Sequence, residues 1–290
     1  MKIPVPSVFR NCAKLPRMPF RFDWDGHVHS GFCPHGSGEP TRSRIERAIE
    51  LGFERISIIE HYPLPPGFPP PPTSLPVDLP VEDVEPYLDE TLALREEYAG
   101  RIDVLVGFEW DFLPGHLDYM REQLEIVGPR TQDGIMSIHF LKGEIIDATA
   151  EHFMRRALPL LGGTLEGAYR EYYRTMLDAV ETDFGEYKPR RIGHLNIIRR
   201  FQRIHAAPGE YRNEILEIVT RAGEKGMQLD FNMSGLRREY CGEAYIPTWL
   251  VERIAKGEID IECVYGSDAH SVDGIGAGLD EAKAMVAQWE

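Results

Sequence analysis

The sequence is poor in cysteine, in cations and in long apolar runs. Its 290 residues include four cysteines, at positions 12, 33, 241 and 263, and no two of them form a C-x-x-C pair. That excludes a zinc ribbon and a dithiol redox motif, and a disulfide framework is not expected in a chain this long. Lysine and arginine total 32 against 47 acids, giving a formal net charge of −15. Such a field repels nucleic acid and anionic membranes as bulk partners, yet leaves room for a small anionic substrate held by local cations. No run of about 18 apolar residues could cross a membrane, and the first twenty residues lack the apolar core of a secretory signal. These absences together lead us to expect a cytoplasmic protein. Residues 1–20 hold four cations, four prolines and no acid and read as an N-terminal extension, leaving 21–290 as a single domain.

What is present is alternation. Short β-branched runs at 20–29, 55–61, 102–109, 134–140, 191–196, 227–232 and 261–268 read as strands. Helix-like stretches at 41–51, 82–99, 116–126, 166–182, 210–224 and 246–256 fall between them. In the first of these stretches Ile45, Ala48, Ile49 and Leu51 recur near helical spacing and Gly52 supplies a stop. Repeated strand–helix units of this number predict an α/β fold, a (β/α)7 barrel of TIM-like type one strand short of the usual eight. The segment 63–80 carries nine of the 22 prolines, so it must be extended and free of helix. It reads either as a stiff surface loop or as a wall beside a site at the strand ends.

The ten histidines are not scattered. The strand candidates end in His27 and His29, His61, Glu109, His139, His194, and Asp268 followed by His270. Residues i and i+2 of a strand face the same side, so H-x-H at 27–29 brings two imidazoles to one cation, and D-A-H at 268–270 repeats the spacing. With His35 in the loop after the first strand, seven histidines and two carboxylates gather at the rim where barrel enzymes build their sites. Buried polar groups in that number must be paired or bound to metal. Nine ligands exceed one tetrahedral site and fit two or three cations sharing bridging groups. Imidazole and carboxylate without thiolate suit zinc, manganese or iron, and Cys33, although in the right loop, is set aside as a ligand. His116, His152 and His205 read as ordinary residues.

The motifs D-G-H-V-H-S (25–30), C-P-H-G (33–36), E-H (60–61), G-F-E (107–109), S-I-H-F (137–140), G-H-L-N (193–196) and S-D-A-H (267–270) together resemble the polymerase and histidinol phosphatase (PHP) superfamily. Within it they look most like the histidinol-phosphate phosphatases of histidine biosynthesis, as do D-F-N-M-S-G-L-R (230–237) and the prolines after E-H-Y-P. The resemblance implies a distorted seven-stranded barrel with a metal site at the C-terminal ends of its strands. It also implies three divalent ions: one held by His27, His29, Glu109 and Asp268, a second bridged by Glu109 and held by His139 and His194, and a third held by His35, His61 and His270. Asn196 departs from the pattern, standing where relatives often have Asp.

The implied activity is hydrolysis of L-histidinol phosphate to L-histidinol and phosphate, with a metal-bridging hydroxide attacking phosphorus. Arg237 and Arg199 follow strand ends and are the candidate phosphate-orienting cations, with Ser234 and Asn232 as nearby donors. One alternative is a PHP-type phosphoesterase acting on another small phosphoester or a nucleotide. A metal-binding module without catalysis is the other, and it would require missing ligands.

Overall fold

The computed structural model describes residues 19–73 and 76–289; most of the expected extension, residues 1–18, lies outside the described residues. Eight parallel strand segments form one sheet: β1 (Phe20–Arg21), β2 (Trp24–Val28), β3 (Arg55–His61), β4 (Asp103–Asp111), β5 (Asp133–Ser137), β8 (Arg191–Ile192), β9 (Gln228–Asn232) and β10 (Glu262–Gly266). Their order is β1-β10-β9-β8-β5-β4-β3-β2. Only Phe22 and Asp23 separate β1 from β2, and the two share one stave: β1 pairs with β10 and β2 pairs with β3. A bridge between Val28 and Ala269 then closes the ring. The result is a distorted barrel of seven staves, as the alternation predicts, whose strand interiors are almost wholly buried because helices cover the outside.

Helices α1 (Thr41–Glu50), α2 (Val84–Glu97), α3 (Leu117–Val127), α6 (Leu165–Glu181), α7 (Arg212–Glu224) and α8 (Thr248–Ala255) fall on the stretches read as helical, within three residues at each end. The sequence reading did not include α9 (Leu279–Ala287), or the segment in which α4 (Ala150–His152) and α5 (Leu158–Leu160) flank a π-helical turn, Phe153–Ala157. Several strand candidates come out shorter than expected: 20–29 splits into β1 and β2, and 261–268 is a strand only over Glu262–Gly266. The 134–140 run ends as a strand at Ser137, and the chain then enters an antiparallel hairpin, β6 (Phe140–Leu141) and β7 (Glu144–Ile145). The 191–196 run pairs only at Arg191 and Ile192. Beyond it the backbone amides serve the site: His194 N lies 3.3 Å from Asp230 Oδ2, and Asn196 N donates to the Tyr245 carbonyl.

The lower half of the barrel is closed by a buried polar plug. Arg191 is fully buried, pairs with Asp133, donates to the Gly26 carbonyl at 2.9 Å and lies over the Trp24 ring. Ser57 joins the two sides, accepting from Trp24 Nε1 at 2.8 Å and donating to Asp133 at 2.6 Å. Gly26 is needed here for space, since a Cβ would collide with the Arg191 guanidinium and with Val264.

Candidate metal centre

All nine sequence-predicted ligands lie around the C-terminal ends of the strands. His61 stands in register beside Glu109 on the neighbouring strand. Gly266 ends β10, after which Asp268 takes a left-handed conformation, φ 53°, an uncommon geometry for a residue other than glycine and one that marks functional turns. Glu109 sits at the middle of the cluster. Its Oε2 lies 3.3 Å from His27 Nε2, 3.6 Å from His29 Nε2 and 3.3 Å from His61 Nδ1, while its Oε1 lies 2.9 Å from His194 Nε2 and 3.7 Å from His139 Nε2. Asp268 Oδ1 is 3.5 Å from His29 Nε2 and 3.9 Å from His27 Nε2. To one side, His35 Nε2 and His270 Nε2 are 3.0 Å apart, within metal-bridging reach of His61.

The rings are held from behind by carboxylates and carbonyls. His27 Nδ1 lies 2.8 Å from Asp230, His29 Nδ1 3.3 Å from Glu60 and His139 Nδ1 3.0 Å from Asp111. His35 Nδ1 faces the Pro76 carbonyl at 3.2 Å and His270 Nδ1 the Asp268 carbonyl at 3.1 Å. Such partners fix ring orientation and leave the other nitrogen directed at a metal. The sequence reading did not single out Asp230, Glu60 and Asp111 as orienting acids. For Asp230 a signal existed: 227–232 is the strand candidate with no ligand at its end, and it supplies this carboxylate instead.

The electrostatics match a cation site. Burial alone would raise Glu109 and Asp268, but facing imidazoles, His27 foremost, outweigh it and hold both carboxyls well below the usual range. Burial would lower His139, yet Asp111 and Glu109 push it up to about 10, and Glu109, Asp230 and Asp268 likewise raise His27. Burial and the nearby His29 push His61 and His270 well below the ordinary imidazole range, so they stay neutral and their lone pairs are free to ligate. His29 Nε2 is buried with no hydrogen-bond partner although two carboxylates stand 3.5 and 3.6 Å away. A divalent cation between them satisfies both the orphan nitrogen and the anionic oxygens. Nitrogen and oxygen donors, acids that stay ionised and this unpaired nitrogen together fit divalent metal ions.

A cavity of about 460 Å³ opens over the cluster. Three arginines line it, Arg200, Arg237 and Arg238. Arg237 is anchored by donating to the Ser267 carbonyl at 2.6 Å. Arg199 does not line the cavity; it pairs at 3.5 Å with Glu243, and its neighbour Arg200 takes the inward place. Ser234 and Asn232 are buried and donate to Asp268 and Asp230 at 2.9 Å, so their polar atoms brace the acids. Asn196 accepts from Tyr173 Oη at 2.8 Å behind the site. The proline segment is a wall: Thr73 and Val77 line the cavity and Pro76 holds His35. His116, His152 and His205 lie outside the cavity. A larger cavity of about 790 Å³ at the other end of the barrel, lined by Trp24, Asp133, Lys188 and Arg190, has no histidine, and chemistry in barrels of this kind sits at the opposite face.

Comparison with known proteins agrees with this geometry. The PHP domain model matches residues 25–234. The histidinol-phosphatase of Bacillus subtilis is 34% identical over 258 residues, covering 87% of this chain and 95% of the relative. A Listeria monocytogenes protein provisionally named histidinol phosphatase superposes with a TM-score of 0.81 at 33% identity, over 89% of this chain and 99% of that one. The fold is also that of the Lactococcus lactis histidinol phosphate phosphatase solved with zinc, L-histidinol and phosphate, with a TM-score of 0.70 at 22% identity over 92% and 93% of the two chains. The chain belongs to the PHP domain family, in its histidinol-phosphatase branch.

Proposed function

We infer that the protein is a metal-dependent phosphatase that hydrolyses L-histidinol phosphate to L-histidinol and phosphate. The carrying observation is the likeness to the Bacillus histidinol-phosphatase across nearly all of that enzyme, in a chain that gathers eight further candidate metal ligands around Glu109. We assign three divalent ions. His27, His29, Glu109 and Asp268 would hold one, Glu109, His139 and His194 a second, and His35, His61 and His270 a third. Zinc, manganese and iron each suit these donors.

Bound ions of this kind supply Lewis acidity and positive charge for a phosphoryl group in transfer. The protein's own residues do the rest. Arg237, Arg200 and Arg238 give the phosphate fixed donors at the rim, Arg237 being braced by the Ser267 carbonyl. Asp111 and Asp230 hold the His139 and His27 rings so that their ligating nitrogens face inward. Glu109 and Asp268 stay ionised throughout the neutral range. Metal-loaded enzyme is expected to release phosphate from L-histidinol phosphate, and chelation or His139→Ala to reduce kcat/KM by at least about 100-fold, since His139 is both ligand and ring partner in the cluster. Undiminished turnover in fully chelated enzyme would overturn the assignment.

A further inference from the structure

The cavity above the metal centre carries both signs of charge. It is lined by Arg200, Arg237 and Arg238 and, from the β6–β7 hairpin and the residues just after it, by Phe140, Ile145, Ala148 and the acid Asp147, which stands 3.9 Å from Arg200. The hairpin turns through Lys142 and Gly143, with φ of 52° and 82°, the paired left-handed geometry of a tight two-residue turn. The chain thereby folds straight back, and Ile146 N donates to the His139 carbonyl at 2.9 Å. Asp147, the next residue, is thus fixed beside a residue of the metal cluster.

The Asp147 side chain is only loosely engaged within the protein, its charge acting on Arg200 and His139 without a hydrogen bond to either. Its Oδ1 is buried without a hydrogen-bond partner, and its Oδ2 is 3.9 Å from Arg200 Nη1, beyond hydrogen-bond length. The neighbouring Asp111 is already engaged, accepting from the His139 amide at 2.9 Å and facing its ring nitrogen at 3.0 Å. A buried carboxylate oxygen left unpaired is costly, which points to a donor brought in by the ligand. We propose that Asp147 binds a cationic group on the leaving alcohol, so that the site selects phosphomonoesters bearing a protonated amine close to the ester oxygen. The phosphate then lies toward the arginines and the metals, the ammonium toward Asp147, and the apolar part of the alcohol against Phe140, Ile145 and Ala148. This rests on the phosphatase reading above: L-histidinol phosphate carries an ammonium on the carbon next to its ester-bearing carbon.

The test compares L-histidinol phosphate with its deamino counterpart, the same ester lacking the amine, in metal-loaded wild type and Asp147→Asn. Wild type is expected to prefer the amine-bearing ester, and Asp147→Asn to lose about 100-fold in kcat/KM on it, chiefly through KM, with the deamino ester changed less than about 3-fold. Inhibition by inorganic phosphate should be unaltered, and Asp147→Glu should recover part of the loss. Equal losses on both esters, no loss on either, or weakened phosphate inhibition would overturn the proposal, the last by showing that Asp147 works through Arg200. Wild type that turns over both esters equally removes the ammonium subsite and leaves the phosphatase standing. Wild type that turns over neither removes the phosphatase reading itself.

Discussion

At the scale of single residues, the candidate metal cluster depends on side chains that stand behind its proposed ligands. Asp230 is fully buried and gathers His27 Nδ1 at 2.8 Å, Asn232 Nδ2 at 2.9 Å and the His194 amide at 3.3 Å, so one carboxylate positions two ligands from different strands. Asp230→Asn keeps the shape and removes the charge that raises ligand basicity. Its expected effect is a metal concentration for half-maximal activity higher by about 10–100-fold, with activity largely recovered at saturating metal. Titration of stripped enzyme with zinc or manganese measures this, and an unchanged midpoint would show that Asp230 is a packing residue. The contrast explains what was legible at this scale. His27, His29, His61, His139, His194 and His270 were visible because histidine is rare and these six sit at or just past strand ends. Asp230, Glu60 and Asp111 are three among 47 acids, and nothing in a one-dimensional pattern separates an acid behind a ligand from one in solvent. Arg199 against Arg200 shows the same limit, because neighbouring residues of a 3-10 turn (Ile197–Arg199) and its cap point different ways, and only the fold decides which faces the cavity.

At the scale of elements, the strands and most helices followed from periodicity, because a parallel stave buried on both faces needs a continuous apolar run. The exceptions are elements too short or too weakly patterned to show a period. The β6–β7 hairpin is two residues on each arm, too short to show alternation, and α9 packs beside α8 with only a modest apolar stripe of its own. A different kind of hidden feature ends α6. Lys188 folds back to donate to the carbonyls of Val180 at 2.7 Å and Thr182 at 2.6 Å, capping the helix C-terminus where a cation is favoured. Burial nevertheless lowers its pKa from 10.5 to about 8. With the folded value below the unfolded one, the unfolded chain binds more protons between pH 8 and 10.5, so this group's contribution favours folding increasingly as pH rises through that window. The stability difference between wild type and Lys188→Met, from urea unfolding, is therefore expected to shift in favour of wild type from pH 8 to 10. A pH-independent difference would contradict it.

At the scale of the whole molecule, the acidic surplus acquires a different meaning once the charges are placed. Most ion pairs are exposed surface contacts such as Arg47–Glu50 or Arg155–Glu151, each contributing about 0–1 kcal/mol. The buried electrostatics are concentrated instead in the Arg191–Asp133 plug below and the carboxylate–imidazole cluster above. The plug's two charges are paired with each other, although Arg191 Nε has no partner, whereas in the cluster His29 Nε2 and His194 Nδ1 lack partners while Glu109 and Asp268 stay ionised beside them. Six of the seven staves meet at this rim, with His27, His61, Glu109, His139, His194 and Asp268 arriving from six different strands or the turns after them. A cation bound there therefore ties the barrel together, and native protein that binds metal when the unfolded chain does not gains stability by mass action, about 2.7 kcal/mol for one site at a hundredfold excess over its Kd. For a chain of 290 residues that corresponds to a rise in Tm of roughly 4 °C. Thermal unfolding of stripped enzyme, followed with and without added zinc or manganese, is expected to show that rise, together with its loss in Glu109→Gln, in which the carboxylate at the middle of the cluster is neutral. Identical midpoints in stripped and loaded protein would mean that the barrel closes through its plug and its apolar staves alone, and that the rim cluster contributes to chemistry but not to holding the fold.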